Sequence, residues 1–108
     1  MMRLHAVVAM FDGLGEAELV AWVERRWVQP GEDPAGPVFA EVDVARVRLI
    51  HDLRHGLDVP EDTLPLVLSL LDQVHALRGT LFAVAAAMEG QSPEVRAALG
   101  AALDRRRV

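Results

Sequence analysis

Histidine spacing is the first feature of this sequence that could carry chemistry. His51 and His55 are four residues apart, which is the spacing of two metal ligands on one helix face, and His75 is a possible third ligand. The chain contains no cysteine, and no glutamate lies between His51 and His55 as in a metalloprotease helix. We therefore expect His51 and His55 to be interface or surface residues and His75 to be a half-buried packing residue. We predict neither a metal site nor a cofactor.

Hydroxyl groups for nucleophilic catalysis are few, because the chain has no tyrosine and only the four residues Thr63, Ser69, Thr80 and Ser92. Thr63 and Ser92 precede predicted helices, where such residues cap the first turn. The segment Gly13-Leu14-Gly15 lacks the third glycine of a nucleotide-binding loop and has no strand before it. We predict that the protein is not an enzyme.

The elements that would position these side chains are mostly helical. Apolar spacing predicts helices over Leu4 to Phe11 and Glu16 to Trp27, the second with Gly15 as N-cap and Glu18 in a capping box. The next segment, 28–42, contains three prolines and two glycines between apolar pairs, which predicts a hairpin or wing anchored by Phe39. A third helix is expected from Asp43 to Gly56.

A long helix from Leu64 to Met88 carries the strongest periodic signal. Apolar residues recur at alternating spacings of three and four, as in a coiled coil: Val67, Leu70, Val74, Leu77, Leu81 and Val84. We predict that this stripe is the interface of a homodimer with antiparallel helices. A second stripe lies beside it and consists of Leu64, Leu68, Leu71, His75 and Phe82. A last short helix is expected from Ser92 to Asp104, with Ser92 as its N-cap.

Charge argues against a nucleic-acid partner. Sixteen acidic residues against eleven arginines and no lysine give a net charge of −5, and each neutralised phosphate needs a cation. Arg25 and Arg26 on the second helix are the candidate DNA contacts, while Arg3, Arg46 and Arg48 would add a basic patch only if they converge. The predicted wing carries Glu32 and Asp33 where a DNA-binding wing would carry cations. DNA binding is therefore the alternative prediction.

Composition also bears on location. The most hydrophobic region is interrupted by polar residues, so no run of about 18 apolar residues exists and no membrane span is expected. No basic segment followed by a long apolar run opens the sequence, and no disulfide is possible. We expect a cytoplasmic protein.

The order helix, turn, helix, wing, helix and long helix resembles a MerR-type winged helix-turn-helix. Residues 13 to 82 resemble the bacterial chaperone-modulator (CbpM) family. The matching stretches are Gly13-Leu14 with Glu18-Leu19, Trp27-Val28-Gln29-Pro30, Phe39, Leu53-Arg54-His55-Gly56-Leu57 and Leu68-Ser69-Leu70-Leu71-Asp72-Gln73. The segment Ser92 to Val108 lies beyond the part that matches.

This resemblance implies an all-α fold with a MerR-like helix-turn-helix, a small β wing and a long coiled-coil dimerisation helix. The expected boundaries are 1–58 for the helix-turn-helix region, 59–90 for the dimerisation helix and 91–108 for a short C-terminal helix. The family inhibits a DnaJ-like (CbpA-type) co-chaperone by binding its J-domain. A mixed-charge set is our predicted docking surface for the J-domain: Asp52, Arg54, His55, Asp58 and Asp72. A MerR-type DNA-binding regulator and a structural dimer scaffold are the alternatives.

Overall fold

The computed structural model describes residues 1–106 and divides the chain into two compact units, 1–69 and 70–108. Most of the described residues are helical, and a small antiparallel sheet accompanies the helices, as the sequence predicts. The elements in chain order are β1 (Met2–Arg3), α1 (Leu4–Ala9), α2 (Glu16–Glu24), β2 (Gly31–Asp33), β3 (Gly36–Phe39), α3 (Glu41–His51), a π-helical turn (Asp52–Gly56), α4 (Leu64–Glu89) and α5 (Pro93–Arg106). Among the described residues, no helix is at once long enough and apolar enough to cross a bilayer.

The predicted wing is a hairpin of β2 and β3, and β1 joins it to give the strand order β1-β3-β2. Asp33 accepts a hydrogen bond from the Ala35 N–H at 2.9 Å, which closes the turn between the two strands. The pairing of Arg3 with Val38 extends the sheet. A two-residue strand has too little periodicity to be recognised in a sequence, so β1 was not predicted.

The core of the first unit receives side chains from α1, α2, β3, α3 and the first turns of α4. Its largest fully buried side chains are Trp22, Phe39, Leu19, Ile50, Leu64, Val7, Val28 and Val47. Phe39 is completely buried, which confirms it as the anchor of the wing. Leu64 and Leu68 are the buried residues of α4, so the start of the long helix belongs to this core.

The second helix ends three residues earlier than predicted. The Trp27 N–H donates to the Trp22 carbonyl at 3.0 Å and the Arg26 N–H donates to the Val23 carbonyl at 3.0 Å. These two bonds form a Schellman motif, with Arg26 in the left-handed conformation at φ 62°. Arg25 and Arg26 therefore lie beyond the last turn of α2.

Helix caps follow the sequence in part. Gly15 is the N-cap of α2 as predicted, although it has no side chain and the Glu18 carboxylate binds elsewhere, so no capping box forms. Helix α3 begins at Glu41, earlier than the predicted Asp43, because the Asp43 carboxylate accepts a hydrogen bond from the Ala40 N–H at 2.8 Å. Its predicted end at Gly56 holds, but the last turn is π-helical.

The second unit contains most of α4 and all of α5. Helix α4 has the predicted bounds to within one residue. The Ser92 hydroxyl accepts a hydrogen bond from the Val95 N–H at 3.3 Å, which confirms Ser92 as the N-cap of α5. No residue between Ser69 and Arg106 is buried.

Candidate functional site

The predicted docking residues are distributed over both units. Asp52, Arg54 and His55 belong to the π-helical turn, and Asp58 lies in the loop that follows it. Asp72 lies on the part of α4 that belongs to the second unit, where it is exposed. The structure thus groups four of the five residues on one short segment of the first unit. A π-helical turn is frequently found at functional sites, and this one separates α3 from the acidic loop before α4.

His55 is held by hydrogen bonds to the carboxylate of Glu18 in α2. Its Nε2 atom donates to both carboxylate oxygens, at 2.9 Å to Oε1 and 3.0 Å to Oε2. The two side chains are only about a third exposed or less. Hydrogen bonds to a charged group are about twice as strong as neutral ones. This pair therefore fastens the π-helical turn to α2.

His51 makes the second connection at the same place. Its Nε2 donates to the Asp12 carbonyl oxygen at 2.7 Å, and its ring stacks on the His55 ring with centroids 4.8 Å apart. The Phe11 ring also contacts His51, with centroids 5.4 Å apart, and the Arg48 guanidinium lies over the Phe11 ring. His51 thus fastens α3 to the turn between α1 and α2, and His55 fastens the π-helical turn to α2.

The three candidate metal ligands His51, His55 and His75 all lie among the described residues. Within residues 1–106 no group of three or more His, Cys, Asp or Glu side chains is placed around a possible metal position. His75 lies on the exposed part of α4, so the prediction of a half-buried packing residue is wrong in this chain. The reason is that the second stripe of α4 enters the core only at Leu64 and Leu68.

Arg54 has one hydrogen-bond donor that is not satisfied. Its Nε is buried and has no hydrogen-bond partner among the described residues. A buried donor without an acceptor costs about 1–3 kcal/mol. This cost falls on the π-helical turn, at the centre of the predicted docking segment.

An open groove of about 420 Å³ lies beside the acidic loop of the first unit. Its lining residues are Arg25, Trp27, Glu61, Asp62 and Pro65. The sequence analysis singled out Arg25 as a candidate DNA contact and placed Trp27 at the end of the second helix. The Schellman motif at the end of α2 turns the chain at Arg26 and brings the Trp27 indole to the groove. No pattern in the sequence predicts that geometry.

A guanidinium group already occupies part of this groove. The Arg25 Cζ lies 5.1 Å from the centroid of the Trp27 ring, and its Nη1 is 3.4 Å from the Glu61 carboxylate. The Trp27 carbonyl accepts a hydrogen bond from Arg46 at 2.8 Å, which ties Trp27 to α3. An aromatic face beside a carboxylate is the environment that binds arginine. Asp62 adds a second carboxylate to the same lining.

The predicted basic patch is not assembled as such. Arg3 donates to the Asp33 carboxylate at 2.7 and 2.8 Å, Arg46 binds the Trp27 carbonyl, and Arg48 lies over Phe11. Each arginine thus has a different partner. The hydrogen bond and the charge of Arg3 lower the pKa of the Asp33 carboxyl, and both strengthen the contact between β1 and the wing.

The predicted dimer stripe is exposed along the second unit. The side chains of Leu77 and Leu81 are 65% and 67% exposed, and Leu70, Val74 and Val84 are about half exposed. Val67, at the start of the stripe, is partly buried against the core of the first unit. Leu66, on the flank of the stripe, is 61% exposed. Soluble monomers rarely leave so many large apolar side chains in one row.

No protein-family model, curated protein or solved structure matches this chain. The resemblance to chaperone modulators thus depends on the matching sequence stretches alone.

Proposed function

We propose that this protein is a chaperone modulator with a MerR-like winged helix-turn-helix, and that it binds the J-domain of a DnaJ-like co-chaperone and inhibits it by occlusion. The observation that carries the proposal is the groove beside the acidic loop, where Trp27 and Glu61 already hold the guanidinium of Arg25. The family resemblance implies a partner helix with exposed basic side chains. Such a side chain would meet a second carboxylate, Asp62, in the same groove beside the pair of Arg25 and Glu61.

The acidic loop next to the groove supports the same partner. Asp58, Glu61 and Asp62 are exposed, as is Asp52 on the π-helical turn. With a net charge of −5, the chain as a whole attracts a basic protein during diffusion. A bound helix at this place would cover the partner's basic surface without any chemical step.

Self-association through α4 is the second part of the proposal. The row Leu70, Val74, Leu77, Leu81 and Val84 is exposed at the spacing of a coiled-coil seam. Pairing with a second copy in an antiparallel arrangement would remove this row from water. A dimer would present two copies of the J-domain surface.

The two alternatives are less well supported. For a MerR-type DNA-binding regulator, Arg25 would have to leave Trp27 and Glu61, and the wing would bring the exposed Glu32 towards the phosphates. For a structural dimer scaffold, no partner protein would bind at the groove. DNA affinity that falls steeply with salt would favour the first alternative, whereas no binding of DNA or J-domain would favour the second.

Titration calorimetry with the J-domain of a DnaJ-like co-chaperone from the same genome tests the docking surface. We expect saturable binding that weakens at high salt because the contacts are ionic. Asp58→Asn and Asp62→Asn should each lower the affinity several-fold at low salt, since each removes a carboxylate but keeps the side-chain size. Glu32→Gln removes one charge from the wing and serves as the matched control.

The outcomes separate the readings. Absence of binding by the natural chain would contradict the modulator proposal. Equal losses for Asp58→Asn, Asp62→Asn and Glu32→Gln would show a general charge effect and would move the docking surface elsewhere.

The dimer has its own test by analytical ultracentrifugation. We expect a species of twice the 11.8 kDa of one chain. Val74→Glu together with Leu81→Glu should produce monomers, because pairing would bury unpaired charges. Ala76→Glu places the same charge on the other side of α4 and should leave the dimer intact. An unchanged mass for the seam variants would remove the seam assignment.

A further inference from the structure

Helix α5 (Pro93–Arg106) has an apolar face that nothing in the described chain covers. Apolar residues recur at intervals of three and four, as on one side of an amphipathic helix: Val95, Ala98, Leu99, Ala102 and Leu103. Every residue of α5 is exposed except Gly100, which is half-buried. A helix of fourteen residues is marginal in water without tertiary packing. We therefore expect its apolar face to pack against another apolar surface.

Helix α4 presents more apolar surface than a two-stranded pair can use. Leu71 and Phe82 each follow a seam residue by one position, so they lie about 100° around the helix from Leu70 and Leu81. A pair of α4 helices would cover only the narrow seam. The side chain of Phe82 is 75% exposed. A wider apolar arc is typical of helices in a bundle.

The amount of exposed apolar surface matches what a dimer requires. Eleven large apolar side chains of α4 and α5 are more than a third exposed, namely Leu66, Leu70, Leu71, Val74, Leu77, Leu81, Phe82, Val84, Val95, Leu99 and Leu103. At roughly 100 Å² each they present on the order of 1,000 Å², and a standard interface takes about 800 Å² from each partner. A second copy supplies the same surface in return.

We propose that α4 and α5 of two copies form one four-helix bundle, in which α5 covers the face of α4 that carries Leu71 and Phe82. The occupant of this face is thus a second copy of the chain. This inference rests on the α4 seam of the proposed function and adds α5 as a necessary part of the interface. Two helices from each chain, joined by the short segment Gly90 to Ser92, suit such a bundle.

A charge placed on either face of α5 tests the proposal by sedimentation equilibrium. Leu99→Glu puts a carboxylate on the apolar face and should raise the dimer dissociation constant at least tenfold. Ala97→Glu puts the same carboxylate about 160° away on the same helix and should change the constant less than twofold. Equal effects of the two variants would overturn the assignment of this face.

Amide hydrogen exchange of α5 shows whether its apolar face packs on a second copy, packs on its own chain or stays exposed. We expect protection of α5 amides that decreases when the protein is diluted below its dissociation constant. Protection that is independent of concentration would show α5 packed within its own chain, and absence of protection would show a tail. Either result would overturn the proposal.

The same variants separate this inference from the seam on which it rests. If Val74→Glu dissociates the dimer and Leu99→Glu does not, the α4 seam is supported and the proposed role of α5 in the interface is contradicted. A natural chain that is monomeric at all concentrations would contradict both the α4 seam and the role of α5. J-domain binding is measured independently, so its failure leaves the result on α5 unaffected.

Discussion

His55 donates from Nε2 to both carboxylate oxygens of Glu18, at 2.9 and 3.0 Å, and so joins the π-helical turn to the first turn of α2. The predicted N-terminal capping role of Glu18 is replaced by this longer-range contact. Since Asp52, Arg54 and Asp58 lie on or directly after the same turn, this pair helps to set the position of the proposed docking segment.

Loss of this pair should reduce stability. We expect Glu18→Ala to lower the free energy of unfolding by about 1–2 kcal/mol, because the bond is charge-assisted and partly buried. Glu16→Ala, at an exposed position of the same first turn, loses a similar interaction with the helix dipole and is the matched control. Urea unfolding of both variants measures the difference. Equal losses would mean that the bond to His55 contributes nothing.

The left-handed conformation of Arg26 predicts a stabilising substitution. Non-glycine residues pay about 1 kcal/mol at such a position, and glycine is the usual residue at the end of a Schellman motif. Arg26→Gly should therefore raise the free energy of unfolding by up to about 1 kcal/mol, after the greater freedom of glycine in the unfolded chain is allowed for. Arg25→Gly, at a helical φ of −78°, should destabilise instead. Denaturant unfolding decides between these signs.

The Arg3 and Asp33 pair predicts a pH dependence of stability. Hydrogen bonding to Arg3 lowers the pKa of Asp33 in the folded state. A carboxyl with a lowered folded pKa stabilises the protein above its unfolded pKa, and this stabilisation is lost as the pH falls through the folded value. Asp33→Asn should therefore melt below the natural chain at pH 7, and the two should converge as the pH falls below about 4.

The control for this pH effect is Glu32→Gln on the same strand, because Glu32 is exposed. Its melting temperature should follow that of the natural chain at every pH. A difference between Asp33→Asn and the natural chain that persists at low pH would show that the pair with Arg3 is not its cause.

The pair of Arg25 and Glu61 should matter little for folding. Both side chains are about half exposed and their nearest charged atoms are 3.4 Å apart. Such surface pairs contribute about 0–1 kcal/mol, so Glu61→Gln should shift the free energy of unfolding by less than about 0.5 kcal/mol. In a thermal or urea unfolding experiment this variant should match the natural chain. A large loss of unfolding free energy would show that the pair of Arg25 and Glu61 serves mainly to stabilise the fold.

Local patterns in the sequence were enough for much of the fold. The alternation of three and four along Leu64 to Met88 predicts α4 almost to the residue, because a long helix repeats its signal many times. The prolines and glycines of segment 28–42 likewise predict the hairpin, and Phe39 is the buried anchor. Ser92 and Pro93 mark the start of α5 by side-chain chemistry that acts within one turn.

Contacts between distant residues were decided only by the tertiary structure. Strand β1 exists because Met2 and Arg3 meet β3, more than thirty positions away. Glu18 binds His55 rather than its own helix end, and Trp27 reaches the groove with Glu61 because Arg26 turns the chain. The periodicity of a sequence reports which face of an element is apolar. It does not report which distant side chain will lie opposite a given charge, since that depends on how the elements pack.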